Sequence, residues 1–377
     1  MYNMFENDSD DEEEDEWFYN SMFRYKQLQM FGFENTVHHI EPSCHDRICV
    51  AQRHKPDKYE ILELSLPEKL LTESHQDCLM KSSDFKVKNG GFIDFKIVQM
   101  KVLYDKKILI VSEENASELA VYRLGSENSD LVKKQSHIPT SVESPSLAVN
   151  DSNDILASSI GSKNVELINT ETAQVITSSP LGSEDGRTKP IFVSRNVGGV
   201  CSVDSGAVRL KDLRSNSNWS LVCKEFSQRS LIVTNPTDEE YWTVASTYEN
   251  YFIKQPSESN SKLGLLSTQG RLLLYDMRNT NSAFCDKQLE KRTQHCDEIC
   301  LRFSPDSLLR LSVTGFDENV YVYEIDLPDN LKTVFTHDGH SKQKSSVGNT
   351  SVISHLWWRD NLVISAATNN SLHCWRF

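Results

Sequence analysis

Residues 299–306 read ICLRFSPD, residues 311–317 read LSVTGFD and residues 320–324 read VYVYE. In these three stretches, β-forming residues alternate with polar ones or run almost continuously, which is the pattern of partly buried strands. The groups that end the first two stretches, SPD and GFD, are rich in residues that favour turns. The three stretches therefore predict three antiparallel strands joined by short connections.

The last of these stretches recurs along the chain. The chain contains seven such runs of β-forming residues, and several of them end on an aromatic residue followed by a charged or amide residue. The penultimate residues of the seven runs are Leu62, Tyr122, Ile168, Lys211, Tyr275, Tyr323 and Trp375. Their spacing of 43 to 64 residues matches a four-stranded unit with loops of variable length. Further strand-like runs precede each of them, and no helical period lies between, which excludes an alternating α/β architecture. We therefore expect an all-β fold, a single seven-bladed β-propeller.

The two ends of the chain are predicted to share one blade. The sequence stops at Phe377, directly after the third predicted strand of the last repeat, and residues 25–33 (YKQLQMFGF) have a strand pattern that supplies a fourth. Such pairing removes an exposed sheet edge. We expect a propeller over residues 25–377, closed by this N-terminal strand, and an arm over residues 1–24 that is disordered or forms a short helix.

Charge is concentrated at the N-terminus. The net charge is −14, and residues 1–16 contain nine acids and no base, so the remainder is close to balanced. A body without excess positive charge has no electrostatic reason to bind nucleic acid directly.

The composition also predicts the compartment. Mean hydropathy is −0.48, no apolar run approaches the roughly 20 residues of a membrane-spanning helix, and no basic and apolar leader opens the sequence. The nine cysteines are scattered, as reduced thiols are. We expect a cytosolic or nuclear protein without membrane attachment.

The stretch quoted first resembles a WD repeat. His295, the FSPD turn and Asp317 stand where that repeat has its histidine, turn and aspartate; Gly339-His340 begins a second such repeat, with Asn369 at the aspartate position and Trp375 at its close. The resemblance implies that His295, Asp317, His340, Asn369 and Trp375 form buried hydrogen-bond networks that stabilise the blades. A catalytic pair of His295 and Asp317 is the alternative, but no third residue has the context of a triad, and we expect no enzymatic activity.

Longer stretches resemble one family, WD repeat-containing protein 73. They are residues 84–92 (DFKVKNGGF), 314–317 (TGFD), 334–340 (VFTHDGH) and 365–373 (SAATNNSLH), with a similar acidic-to-aromatic opening at 15–25. The resemblance implies a non-enzymatic scaffold, without cofactors, that helps assemble the RNA endonuclease module of the Integrator complex in the cytoplasm. It would bind and shield the paired catalytic and pseudo-catalytic subunits. A cytoskeletal scaffold at spindle poles and microtubules is the alternative. By itself the protein is expected to be a monomer.

The arm carries aromatic residues, which separates it from an ordinary solvating tail. Phe18, Met22 and Tyr25 follow each other at the i, i+4, i+7 spacing of one helix face. Segments of this kind dock on partners. We expect partner binding by Glu12, Glu13, Glu14, Asp15, Trp17, Phe18, Met22 and Tyr25.

A second candidate is the segment 84–92. Its Asn89-Gly90-Gly91 group lacks the frame of a phosphate-binding loop and is expected to form a turn with positive φ. Since loops carry function more often than cores do, we expect this loop to contact a partner through Phe85, Lys86, Lys88 and Phe92.

Two groups of cysteine and histidine invite a zinc interpretation. They are Cys44-His45-Cys49 and His295-Cys296-Cys300. Neither has the paired short spacings of a structural zinc site, and cysteines also pack well beside strands. We expect no metal at either group.

Overall fold

The computed structural model describes most of the chain. The described residues are 8–44, 46–55, 58–71, 82–103, 106–126, 129–150, 152–158, 164–180, 187–204, 207–213, 218–219, 241–249, 261–290, 299–326, 330–342, 350–359 and 361–377, with side chains from residue 16 onward in the first helix and without those of 126, 158 and 218–219.

Strands dominate the described residues. The helices are α1 (Asp8–Arg24) and α2 (Glu68–Leu71), and 3-10 turns cover Thr247–Glu249 and Gly339–Lys342. The strands are β1 (Gln27–Gly32), β2 (Val37–Cys44), β3 (Arg47–Lys55), β4 (Lys58–Ser65), β5 (Lys86–Ile93), β6 (Ile97–Leu103), β7 (Ile108–Glu113), β8 (Glu118–Ser126), β9 (Ser129–Pro139), β10 (Ser146–Val149), β11 (Ile155–Ser158), β12 (Val165–Asn169), β13 (Gln174–Ser179), β14 (Thr188–Ser194), β15 (Val197–Ser202), β16 (Val208–Asp212), β17 (Asn218–Trp219), β18 (Trp242–Ser246), β19 (Lys262–Ser267), β20 (Arg271–Asp276), β21 (Cys285–Gln288), β22 (Cys300–Phe303), β23 (Arg310–Thr314), β24 (Val320–Asp326), β25 (Asn330–His337), β26 (Val352–Trp357), β27 (Val363–Ala367) and β28 (Ser371–Arg376).

The strands pair as antiparallel meanders of four. Successive neighbours pair within β2–β5, β6–β9, β10–β13, β14–β17, β18–β21 and β22–β25. Strands β26 to β28 receive β1 as their fourth member, which runs antiparallel to β28 with Gln27 opposite Arg376 and Gly32 opposite Ser371. The first two meanders also join in one sheet, because β5 and β9 form a parallel bridge at Gly90 and Leu131. The fold is all-β and propeller-like, as the sequence predicts.

The recurring sequence run corresponds to one position in the fold. Each of the seven penultimate residues lies in the third strand of a meander, namely β4, β8, β12, β16, β20, β24 and β28. A third strand has paired strands on both sides and sheets on both faces, so it tolerates little polarity. The recurring run therefore marks the same strand in every meander, although the second strands share this environment.

The first strands of the meanders meet at a common centre, which we call the hub. Strands β2, β6, β10, β14, β18, β22 and β26 contact one another in this order, and β26 contacts β2. The core lies between meanders, and one cluster packs Ile48 and Val50 of the first meander with Leu356 and Ile364 of the last. Burying each such side chain contributes about 1.5–3 kcal/mol.

The N-terminal arm contains α1. Its first half is acidic and Arg24 lies in its last turn, a charge distribution that suits the helix dipole. Of the two expected states, disordered or helical, the described residues 8–24 adopt the helix. No helix within the described part of the chain is long and apolar enough to cross a membrane.

The prediction of a positive-φ turn at Asn89-Gly90-Gly91 is wrong. These residues lie inside strand β5, and the glycines with positive φ among the described residues are Gly125, Gly270 and Gly315. The reason for glycine is the bridge to β9, because a Cβ on Gly91 would lie 2.8 Å from the Val132 carbonyl oxygen. The glycine permits a close approach between strands instead of a turn.

Candidate functional site

One carboxylate anchors α1 on the sheets. The indole Nε1 of Trp17 donates to Asp338 Oδ1 at 2.9 Å. The Arg24 guanidinium donates to Asp338 Oδ2 at 3.0 Å and to the Thr336 carbonyl at 2.6 Å. Because Asp338 directly follows β25, α1 is held against the edge of the sixth meander.

Aromatic packing completes the anchor. The Tyr25 hydroxyl is hydrogen-bonded to His337 Nδ1 at 2.8 Å, and the Tyr25 ring meets the Phe335 ring edge-on at 4.9 Å. Trp17 and Tyr25 belong to a buried cluster that includes Trp375. Burial and the charge of Asp338 raise the pKa of Tyr25. The side chains of Trp17 and Tyr25 are therefore occupied within the molecule, and Tyr25 does not share an exposed face with Phe18 and Met22.

The opposite side of α1 is exposed and apolar. Phe18, Tyr19, Met22 and Phe23 are 56%, 63%, 54% and 89% exposed. They form two i, i+4 pairs and so lie on adjacent parts of one helix surface. We call these four residues the aromatic ridge. Clustered exposed apolar side chains mark interaction sites in soluble proteins. The predicted acids Glu12, Glu13, Glu14 and Asp15 lie in the same helix, and their side chains are outside the described set.

The second predicted site is a strand surface and not a loop. Phe85 is half-buried against Phe31, with ring centroids 4.5 Å apart, so it links the first and last meanders. Lys86 and Lys88 are exposed, and the Lys86 ammonium lies 3.3 Å from Glu68. Phe92 is 52% exposed. Of the four predicted residues, Lys86, Lys88 and Phe92 are available to a partner.

The last meander contains the predicted hydrogen-bond network. His340 is bonded to Ser371 Oγ through Nδ1 at 2.6 Å and to Ser365 Oγ through Nε2 at 2.9 Å. The Trp375 indole donates to the same Ser365 oxygen at 3.3 Å. Asn369 donates to the His340 carbonyl at 2.9 Å and accepts from the Ser371 amide at 3.2 Å. The structure therefore brings His340, Asn369 and Trp375 together around two serines.

Asp317 has a local role in its turn. It accepts from the Asn319 amide at 2.8 Å and from the Tyr321 hydroxyl at 2.5 Å. Its expected partner, His295, lies outside the described residues, as do Cys296 and His45. The His295–Asp317 pairing and the absence of zinc from both complete groups thus stay predictions.

The structure contains a buried histidine trio that the sequence patterns did not predict: His337, His340 and His373. Nitrogens of the three lie within 4.8 Å of one another, and burial lowers the pKa of all three, to about 3 for His373. The His340 and His373 rings stack at 3.9 Å and 8°, so their in-plane lone pairs cannot converge on one ion. His373 Nε2 has no hydrogen-bond partner in the described structure, but the stacking still makes the trio a packing and hydrogen-bond cluster and not a metal centre. The three histidines stand in two stretches of the sequence, residues 334–340 (VFTHDGH) and 371–375 (SLHCW), which could have indicated the cluster.

Comparison with known proteins identifies relatives over the whole chain. No family model matches the sequence. The protein named Integrator complex assembly factor WDR73 in Danio rerio is 30% identical over 386 residues, which cover 98% of this chain and 97% of the relative. The proteins of that name in Xenopus laevis and Homo sapiens are 24% and 25% identical, over 94% and 96% of this chain and 95% and 97% of their own. This chain belongs to the WD repeat-containing protein 73 family.

Proposed function

We propose that the protein is a non-enzymatic assembly factor of the Integrator complex that works by holding subunits of that complex. The observation that carries the proposal is the end-to-end match to relatives named Integrator complex assembly factor. The pair to be held is the catalytic and pseudo-catalytic pair of the endonuclease module, and the place is the cytoplasm.

The scaffold of this function is a seven-bladed WD40-type propeller over residues 25–377. Each hub strand contacts the next, and the last of them, β26, contacts the first, β2, which supports this architecture. The pairing of β1 with β28 supports closure by the N-terminal strand. A closed ring is rigid, so it presents its surface at a low entropic cost of binding.

The contact surface is the aromatic ridge of α1. Aromatic and methionine side chains are enriched in interfaces, where a few buried anchor residues supply most of the binding energy. The anchors at Trp17 and Arg24 fix the helix in place before the partner arrives, which reduces the ordering cost of binding. Lys86, Lys88 and Phe92 on the first meander form a second contact.

The acidic half of α1 supplies steering and shielding. An RNA endonuclease needs a basic groove for phosphates and metal ions for catalysis. The carboxylates in the first half of α1 complement such a groove in charge. By occupying the groove they would keep the endonuclease inactive during assembly. These charges lie at the other end of the helix from Arg24, so the ridge can bind while they reach into the groove.

Surface plasmon resonance with the purified catalytic and pseudo-catalytic pair tests the proposal. Replacing Phe23 with Ala should weaken binding about thirtyfold, as expected for an interface anchor worth about 2 kcal/mol. Ile176→Ala is the matched control, because Ile176 is 56% exposed on β13 and outside the proposed surface. Equal affinities of the two variants would reject the aromatic ridge.

A second measurement separates the assembly role from a cytoskeletal one. The wild-type chain should bind the endonuclease pair and should not co-sediment with microtubules. Microtubule binding without affinity for any Integrator subunit would reject the assembly proposal itself, whatever the behaviour of the ridge.

A further inference from the structure

A cavity of about 80 Å³ lies at the hub. Side chains of β6, β10, β14, β18 and β22 line it, so five consecutive meanders contribute to one site. This volume exceeds what a single ordered water needs and is comparable to that of a small polyatomic anion.

The lining is cationic in an acidic protein. Lys101, Lys189 and Arg302 line the cavity, and its described lining residues include no carboxylate, although the chain as a whole has a net charge of −14. Glu41 accepts from the Lys101 ammonium at 2.8 Å and neutralises it. Lys189 donates to the neutral Thr243 hydroxyl at 2.8 Å. Gathering cations in a partly buried site is costly without compensating negative charge.

A thiol in the same lining responds to this charge. Cys300 lines the cavity and is half-buried. Burial raises the pKa of its thiol, but the charges of His355, Arg302 and Lys189 and a hydrogen bond with His355 outweigh burial and lower that pKa to about 5. Two cations of the lining, Arg302 and Lys189, thus help to stabilise a negative charge on the Cys300 sulfur, while the largest favourable contribution comes from His355, which does not line the cavity.

We propose that the hub cavity is a binding site for a small oxyanion of the phosphate class, held chiefly by Lys189 and Arg302. Phosphate oxygens suit both the ammonium and the guanidinium group. The oxyanion and the Cys300 thiolate draw on the same positive charges, so binding of the oxyanion favours the protonated thiol. This site is independent of the aromatic ridge and of the proposed assembly role.

The Cys300 thiolate supplies the readout. Full-length protein is treated with iodoacetamide at pH 7.0, and the alkylation rate at each cysteine is followed by peptide mass spectrometry. Inorganic phosphate should slow alkylation of Cys300 about fivefold or more with saturation, a typical size for coupling between two sites, relative to sodium chloride at equal ionic strength. Cys44 is the internal control, since it is also half-buried but its pKa is raised by burial.

Variants connect the effect to the cations. Lys189→Gln should abolish protection by phosphate, and Lys189→Arg should retain it. Lys211→Gln is the matched control, because Lys211 is a buried lysine that donates to the Ser179 hydroxyl at 2.8 Å and does not line the cavity. Thermal melting of each variant establishes that it is folded, and Lys189→Arg keeps the test valid where Lys189→Gln does not fold.

Parallel measurements with different ligands identify the source of the oxyanion. Stronger protection by phosphoserine than by inorganic phosphate would support a phosphorylated side chain, and the reverse would support a free phosphate; both support the site. Equal protection by chloride or by succinate, or protection that survives Lys189→Gln, would overturn the proposal and leave the cations a structural role between blades.

Discussion

At the scale of the residue, Asp338 matters most for the arm, because its two oxygens accept from Trp17 and Arg24. Asp338→Ala should release α1 while leaving the sheets intact. The ion pair with Arg24 is about one-third exposed and contributes little by itself, so the loss of the indole hydrogen bond should dominate, at about 1–2 kcal/mol. Hydrogen exchange should report lost protection in 16–24. Asp326→Ala, an exposed aspartate at the end of β24, is the control, and equal protection in both variants would contradict the anchor.

The sequence predicts that Trp17 and Tyr25 are contact residues, but it does not predict that their contacts lie within the molecule. Their spacing with Phe18 and Met22 indicates a helix face, and a local pattern carries no information about a carboxylate 321 residues away. The contact with Asp338 is therefore a tertiary one. It divides the predicted set into buried anchors and an exposed ridge.

A second residue-scale prediction concerns Gly91. Its Cβ in a Gly91→Ala variant would lie 2.8 Å from the Val132 carbonyl oxygen and 2.9 Å from the Val132 Cβ, so β5 and β9 must separate. Overpacking of this kind typically costs about 1–3 kcal/mol, to be measured by urea unfolding. Gly32→Ala is the matched control in β1, since a Cβ added to Gly32 would meet nothing within 4 Å. Equal unfolding midpoints would contradict the close approach.

At the scale of the element, the histidine trio links β25, the 3-10 turn that follows it and β28, and should make stability depend on pH. Burial lowers the pKa of His337 and His340 well below 6.5, and that of His373 to about 3. The unfolded chain therefore takes up protons from about pH 6.5 downward while the folded protein does not. The free energy of unfolding should be level above that pH and decrease as the pH falls from 6.5 to 5.

Urea unfolding at pH 7.5 and pH 5.0 measures this effect. A single buried neutral histidine contributes at most about 2 kcal/mol over this window. His373→Asn should reduce the difference between the two pH values, and replacement of the exposed His137 should not. His39, whose pKa burial lowers to about 4, contributes in the same direction and stays in both variants. An unchanged difference in His373→Asn would exclude the trio as its source.

At the scale of the whole molecule, the sequence predicts the repeated units well, because each third strand carries its own local pattern. It predicts the pairing of the N-terminal strand as well, since residues 25–33 read as a strand without a local partner. It does not predict the β5–β9 bridge, because the Gly90-Gly91 pair fits a turn and a close approach equally, and only the neighbouring meander decides between them. For the same reason the histidine trio, which two segments distant in the sequence assemble, was not predicted.

Stepwise truncation tests how much the N-terminal segments stabilise the meanders. Removing residues 1–16 leaves the Trp17 anchor in place and should change the melting temperature little. Removing residues 1–24 deletes α1, with the buried Trp17 side chain and the contacts with Asp338, and should cost about 2–4 kcal/mol. Removing residues 1–33 also deletes β1, which leaves the edge of β28 unpaired and uncovers the Phe85 ring. That step should cost on the order of 3–5 kcal/mol, a large part of the stability of a typical domain, and should promote aggregation through the open edge. Calorimetry with light scattering follows the series, and similar melting of the 1–24 and 1–33 truncations would mean that the last meander is held by the hub contact between β26 and β2 and not by the N-terminal strand.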